Sequence, residues 1–527
     1  MIGGRVPRAL RAVALSAAVA WPTLVAGPAH AASPGPGSWD PVVDWNNFVA
    51  VHMTVGPTGD VLMWDREQGL TSARRWNPTT GAFTSTPGLP TALFCAFQTR
   101  LPDGTLAVVG GTAYKKSGTG LDQLELFNWN TNTWTAGAAM HTPRWYPTAV
   151  ELNDGRLFVT GGMVKPGQMA NVPELYDPAK GTWTELLGLV ESTPPGEYPR
   201  ALLAPNGKVF VVKNGAGNSA YVDVDTQTWT TVTKGPPGAK AGGMAMYDTG
   251  KLLYFAVGPG KLASYTIDLN AATPVWRKVG SLHYTHQKFS TVLLPDGRVM
   301  AIGGSSDGTA SLAKADMTPE IWDPATGQWS DLPNLGVPRM YHSNALLLPD
   351  GRVVAAGGGR NGSDPNFPSS QIYKPQYLLQ GSRPTITGVG TNVWQPGSNV
   401  NLTVSSSQGV SSVVLMGLPG VTHGIDTEQR RLTLPVTSAY NPATGQIGVQ
   451  VPTSTATAAG HYYVIALDAR GVPSAAKIVQ LAVAPKGTMT VAARTAAAKV
   501  ATANANTAKA RAKTPRIVAG LDDVDTN

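Results

Sequence analysis

The stretch Pro338-Arg339-Met340-Tyr341-His342-Ser343, followed by Leu348-Pro349-Asp350-Gly351-Arg352-Val353, decides how the chain reads. Its second half is an apolar strand, an Asp-Gly turn and a second apolar strand, the strongest short-range hairpin signal. The same turn returns along the chain, with glycines at Gly59, Gly104, Gly155, Gly207, Gly250, Gly297 and Gly351. Most copies continue into a third strand, an aromatic-x-Pro turn and a strand carrying Trp. Examples are Leu175-Tyr176-Asp177-Pro178 with Trp183 and Ile321-Trp322-Asp323-Pro324 with Trp329; in Trp76-Asn77-Pro78 the Trp place is taken by Phe83.

Seven repeats of about 50 residues, each with about four strands, predict an all-β chain whose residues 38–383 form a seven-bladed β-propeller of kelch type. A lone four-stranded unit cannot bury both faces, so the units stack into a ring, with the Trp packing one blade on the next. The last repeat has its third strand at Gln371-Ile372-Tyr373-Lys374-Pro375, and Asp44-Trp45-Asn46-Asn47-Phe48-Val49 is expected to close it. Residues 384–484 read differently. Short alternating strands are expected at 399–404, 412–416, 431–436, 446–451, 462–468 and 476–483, the spacing of a small immunoglobulin-like β-sandwich. Residues 485–527 are rich in Ala, Thr, Lys and Asn and poor in large apolar side chains, a solvated tail.

Residues 1–31 read as an export signal: Arg5, Arg8 and Arg11, an apolar run from Ala12 to Val25, then Ala29-His30-Ala31. No later segment is apolar enough to span a bilayer, so an exported or cell-envelope-associated protein is expected, acting as a monomer. Of the formal charge of +8, the signal's three arginines supply three and the tail supplies four, leaving +1 for the folded part. That balance excludes a basic nucleic-acid surface. Cysteine usage is more telling. Cys95 is the single Cys, so no internal disulfide can form.

Counting nine residues back from each turn glycine gives Ala50, Cys95, Tyr146, Tyr198, Ala241, Lys288 and His342. Equivalent positions of different blades lie at one height about one axis, so Cys95, Tyr146 and His342 are expected to be neighbours, with Tyr341 one place away. Trp145, Glu197, His286 and Gln287 occupy adjacent ring positions. On the ring alone two readings stand: aromatic groups that stack on a sugar, or a thiol and a phenol paired for redox chemistry in an oxidising compartment.

At these residues the chain resembles the galactose oxidase and glyoxal oxidase family of copper radical oxidases. The matching stretches are Phe94-Cys95, Arg144-Trp145-Tyr146-Pro147, Tyr341-His342-Ser343, Gly243-Met244-Ala245-Met246-Tyr247-Asp248, and Val421-Thr422-His423-Gly424 with Asp426-Thr427-Glu428-Gln429-Arg430-Arg431. The resemblance implies one copper ion held by Tyr146, Tyr341, His342 and His423, the last reaching in from the sandwich. It also implies a thioether joining Cys95 to a radical-bearing Tyr146, with Tyr341 as the base. Trp145, Tyr198, His286, Gln287 and Lys288 would face the substrate, with His286 near its entrance. The expected reaction is oxidation of small aldehydes or primary alcohols by O2 with release of hydrogen peroxide, a glycan being a further candidate substrate. Galactose oxidase places a Trp soon after its cross-linked Tyr, whereas 163–172 contains none, so the ring's shield is left open. The alternative class is a non-catalytic propeller that binds glycans or a protein partner.

Overall fold

The computed structural model describes Met1 and residues 37–66, 73–112, 118–190, 194–213, 217–236, 242–255, 262–452 and 457–483. Nearly all of the export signal, the basic tail and the ring position Ala241 lie outside the described residues. Among the described residues between Ser38 and Lys374, seven antiparallel sheets of four or five strands follow one another, one for each repeat. The third shows the pattern: Thr148–Glu151, Leu157–Thr160, Glu174–Asp177 and Thr182–Glu185 lie in sequence order, inner to outer. Inner strands are buried along their length, while the outer strand alternates, as a meander with one wet edge must. All seven turn glycines have φ between +72° and +90°, which a side chain would strain.

The aromatic pairs expected from the repeats face each other in register: Tyr176 with Trp183, Trp322 with Trp329, and Trp76 with Phe83. Trp183 and Trp329 also tie their blades to the one before. Trp183 donates its indole N–H to Ala138 O at 2.8 Å, and Trp329 donates to Ser264 Oγ at 2.8 Å. A Trp here supplies large apolar area with one donor, and both are satisfied.

The ring closes slightly earlier in the chain than expected. Ser38–Trp39 and Val43–Asp44 pair with Ser369–Lys374 of the seventh sheet. Asn46 and Asn47 then adopt φ of 50° and 63° and turn the chain inward, so Phe48 and Val49 are buried in the core instead of on a sheet edge. Asn tolerates this left-handed backbone better than most residues.

Beyond residue 384 two sheets face each other. One holds Thr385–Gly388, Asn399–Ser405, Gln446–Gln450 and Val436–Asn441. The other holds Val393–Trp394, Lys477–Leu481, Gly460–Leu467, Ser412–Gly417 and Arg431–Thr433. The strand expected over 431–436 is therefore two strands in different sheets. Pro435, with no N–H to give a ladder, sits at the crossing. One apolar cluster joins the two parts: Val414, Met416, Leu418, Val421, Tyr463, Ile465 and Leu467 pack with propeller side chains. Among the described residues no helix is long and apolar enough to cross a membrane.

Candidate active site

The ring alignment has a backbone counterpart. Cys95, Tyr146, Tyr198, Lys288 and His342 have φ of 57°, 61°, 41°, 58° and 65°. Each stands one or two residues ahead of the innermost strand of its blade. Left-handed backbone costs a non-glycine residue roughly 1–2 kcal/mol, yet five of these positions share it. Neighbouring ring positions also touch through their backbones. Tyr146 N donates to Cys95 O at 3.3 Å, and Tyr198 N donates to Tyr146 O at 2.8 Å. Cys95, Tyr146 and Tyr198 are thus consecutive members of one axial ring.

His423 arrives by a different device. Strand Gly420–Thr422 leaves the sandwich and pairs antiparallel with His52–Val55, adding a fifth strand to the first blade at the axis. Thr422 and Ile425 exchange backbone hydrogen bonds of 3.1 and 2.8 Å, closing a two-residue turn at His423-Gly424. Both turn residues have positive φ, 52° and 74°, as a type I′ hairpin demands. Gly424 is obligatory for a second reason: a Cβ there would run into the carbonyl oxygen of Phe289. Propeller side chains grip the inserted segment along its length. Arg100 donates to Leu418 O and Pro419 O at 2.7 and 2.9 Å, and Gln98 Nε2 donates to Val421 O at 2.7 Å. Thr427 Oγ1 donates to Ala149 O at 3.0 Å.

Together these elements converge on one point. Tyr146 Oη and Tyr341 Oη are 2.8 Å apart, Cys95 Sγ is 3.4 Å from His423 Nε2, and the donor atoms of Cys95, His342 and His423 lie within 4.8 Å of one another. The His342 and His423 rings are perpendicular, with centroids 4.6 Å apart.

Hydrogen bonding fixes both tautomers. His342 Nδ1 lies 2.6 Å from Gly359 O; a carbonyl only accepts, so Nδ1 carries the proton. His423 Nδ1 lies 2.7 Å from Thr422 Oγ1 and 3.3 Å from Tyr198 Oη. Those hydroxyls donate to Val51 O and Ala96 O, so here too Nδ1 is the donor. Each Nε2 therefore presents a lone pair to the cluster, and His342 Nε2 is buried without a hydrogen-bond partner. Burial pushes the His342 imidazole down to about 3, and burial together with His342 pushes His423 well below its ordinary value. Two neutral imidazoles and two phenols, one buried nitrogen lacking a protein partner, make an N,O donor set of the kind tetragonal Cu(II) prefers.

The other expected residues divide. Trp145 lies against Tyr146 with centroids 4.5 Å apart and planes 22° from parallel, so the residue covering that phenol immediately precedes it in the chain. Tyr198 is buried, with its hydroxyl 3.3 Å from His423 Nδ1. Lys288 is exposed, with Nζ 4.1 Å from the Tyr341 ring centroid. Gln287 is half-buried and donates to Ser306 O at 3.3 Å. His286 corrects its expected place near the entrance. It is fully buried, with Nδ1 2.8 Å from Gly303 O and Nε2 2.9 Å from Glu320 Oε2, so both nitrogens are occupied inside the sixth blade. Three residues that support the imidazoles were not singled out from sequence for that work: Thr422, Gly359 and His52. His52 is stacked on Trp64 and bonded to Gln98 behind the site. Its place directly before the expected ligand His423 is the available signal for Thr422; Gly359 acts through its backbone and leaves none.

Both parts of the chain are similar to known proteins. Residues 383–481 match the family profile described as "Galactose oxidase-like, Early set domain", and residues 264–373 match "Glyoxal oxidase N-terminus". The chain is 28% identical over 498 residues to galactose oxidase of Gibberella zeae, covering 86% of this chain and 71% of that protein. It is 26% identical over 456 residues to "Aldehyde oxidase GLOX" of Vitis pseudoreticulata, covering 74% and 82%. A solved fungal alcohol oxidase of the AA5 family, in complex with copper, shares the fold. Its TM-score is 0.74 at 24% identity, over 85% of this chain and 99% of that one. Over these regions the chain is similar to the galactose oxidase and glyoxal oxidase family of copper radical oxidases.

Proposed function

We propose that the chain is an exported copper radical oxidase that converts small primary alcohols or aldehydes to the next oxidation level, passing two electrons to O2 and releasing hydrogen peroxide. One observation carries the reading: two phenols, two imidazole lone pairs and the protein's one thiol meet at a single buried point, from two blades' worth of ring positions, the turn before the seventh blade and a hairpin of the sandwich. Copper bound by Tyr146, Tyr341, His342 and His423 would supply Lewis acidity and a one-electron partner. The protein's share is geometry and exclusion of water. Tyr341, whose hydroxyl stands 2.8 Å from that of Tyr146, receives the proton of the substrate hydroxyl, which belongs to the alcohol or, for an aldehyde, to its hydrate formed with one water. Tyr146, oxidised by one electron and thioether-linked to Cys95, takes the hydrogen atom from the adjacent carbon. Trp145 covers one face of the Tyr146 ring and keeps solvent off it. Thr422, Tyr198 and Gly359 hold the two imidazoles in the ligating tautomer.

Forming the thioether removes one hydrogen from the Cys95 thiol and one from the Tyr146 ring, and O2 accepts both with their electrons. Mass spectrometry of copper-loaded protein tests this directly. The Cys95 and Tyr146 peptides should run joined and lighter by two hydrogens, and peroxide should appear with an aldehyde and alcohol panel. Separate, unmodified peptides after aerobic copper loading would overturn the reading, as would a Cys95→Ser variant that releases peroxide as fast as the parent.

A further inference from the structure

We propose that the sixth blade carries a second metal site, built by His283, Glu320 and Asp331 and suited to a divalent ion such as zinc. It shares no donor with the axial cluster and does not depend on the oxidase reading.

Glu320 and Asp331 stand opposite each other on the third and outer strands of the blade, Glu320–Asp323 and Gln328–Asp331. His283 lies in the segment leading to the inner strand Ser290–Leu293. Its Nδ1 is 2.5 Å from Asp331 Oδ1 and 3.5 Å from Glu320 Oε1, and the three donor atoms lie within 4.8 Å of one another. A carboxylate only accepts, so Nδ1 carries a proton that a metal would displace. The other oxygen of each carboxylate is engaged by a neighbour. His286 Nε2 donates to Glu320 Oε2 at 2.9 Å, and Tyr284 Oη donates to Asp331 Oδ2 at 3.3 Å. Outer hydrogen bonds of this kind orient ligating groups. Glu320 is fully buried and fixed, whereas the His283 and Asp331 side chains are 51% and 47% exposed, so an ion can enter from solvent.

The third blade holds the same frame without the site. His141, Arg144, Glu174 and Glu185 stand where the sixth blade has His283, His286, Glu320 and Asp331. The backbone N–H groups of His141 and Thr142 bind Glu174 just as those of His283 and Tyr284 bind Glu320. There the Arg144 guanidinium donates to Gly161 O and Glu174 Oε1, and His141 Nδ1 lies 2.9 Å from Glu174 Oε2. No three donors gather there among the described residues. In the sixth blade an imidazole does the work of that guanidinium: His286 spans Gly303 O and Glu320 Oε2. Glu320 Oε1 is left facing His283, and Asp331 supplies the third donor. One imidazole nitrogen and two carboxylate oxygens suit zinc, which binds such donors at about 2.0–2.2 Å and holds tetrahedral neighbours about 3.3 Å apart. The spacing of 3.5 Å between His283 Nδ1 and Glu320 Oε1 already matches. Asp331, at the exposed end of its strand, backs off to admit the ion, and water fills the fourth position.

Zinc titrated by calorimetry into copper-loaded, full-length protein, with excess copper removed, tests the site. The parent should bind one more zinc per chain than His283→Gln or Asp331→Asn, and binding should release a proton. Affinity at this site should fall about tenfold in Tyr284→Phe, the scale of an outer-shell change, and further in the two ligand variants. His141→Gln, at the matching place in the third blade, should bind as the parent does. Zinc should raise the unfolding temperature of the parent and leave that of the ligand variants unmoved. The result is a difference between parent and variants, so it holds whether or not the axial site carries copper, and the oxidase reading stands or falls separately. Equal zinc stoichiometry and affinity in the parent, His283→Gln and Asp331→Asn would overturn the proposal.

Discussion

The axial ring and the inserted hairpin deliver side chains to the same point by opposite means. Ring residues Cys95, Tyr146 and His342 arrive through repetition: one backbone conformation, placed just ahead of each innermost strand, aims successive blades at a common axis. His423 arrives once, on a strand that abandons its own sandwich and adds to the first blade. Repetition gives precision at low cost, because each position inherits the rigidity of its blade. The hairpin has no such inheritance and depends on a grip from Arg100, Gln98 and Thr427 and on one glycine. The difference teaches that the site is a property of the docked pair of domains, and that its weaker side is the hairpin.

The contrast breaks most visibly at Gly424. Gly424→Ala should cost about 2–4 kcal/mol of stability, from left-handed strain plus a collision with backbone. It should also reduce copper affinity by more than the about 10–100-fold expected of an outer-shell change, since His423 is displaced. Chemical denaturation and copper titration read the two effects. By contrast, His342→Ala should lose copper affinity to a comparable degree with the sandwich still seated, because nothing about domain docking hangs on that imidazole. Equal stability losses in both variants would erase the distinction drawn between ring and hairpin.

Smaller effects sharpen it. Trp145→Ala empties a buried face against Tyr146 and should destabilise by about 3 kcal/mol; the tyrosyl radical signal, followed by electron paramagnetic resonance, should decay faster than in the parent. Tyr198→Phe removes one hydroxyl that faces both Ala96 O and His423 Nδ1. A loss of about 1 kcal/mol in stability is expected, with copper affinity down about tenfold as His423 loses a support.

A further change concerns pH. Asp426, in the inserted segment, is raised from 3.8 to about 7, chiefly by burial and then by Glu428. A carboxyl whose folded value lies above its unfolded one binds its proton more tightly when folded. Its contribution is whole below about 4 and is lost as pH rises through about 7. Asp426→Asn should therefore gain stability relative to the parent as pH increases across that window, measured by thermal unfolding at fixed ionic strength. A difference that is flat with pH would remove Asp426 from the account of docking.

How much of this was legible beforehand follows the same division. The turn glycines repeat, so the sheets, the Tyr176–Trp183 and Trp322–Trp329 pairs and the ring positions of Cys95, Tyr146 and His342 could be read from spacing alone. His423 could not be placed by spacing, because nothing in the sandwich repeats; only the likeness of Val421-Thr422-His423-Gly424 to a family pattern pointed to it. His286 misled for a physical reason. It stands two residues before a ring position, and a one-residue shift along such a segment redirects the side chain, here into the blade against Glu320. Trp145 shows the converse. The family pattern puts a covering Trp after Tyr146 in sequence, whereas Trp145 stands directly before it, and in the left-handed turn the two rings fold onto each other. The closing strand shifted because Asn46 and Asn47 turn the chain before Phe48, a local conformation that apolar patterning does not report.

The most direct test of the central claim is a crystal structure of the copper-loaded protein with anomalous data collected at the copper absorption edge. The account predicts one strong peak at the axis, bonded to the Nε2 atoms of both His342 and His423 and to the phenol oxygens of Tyr146 and Tyr341. Copper bound to His342 with His423 turned away from it, or a peak elsewhere in the chain, would contradict it.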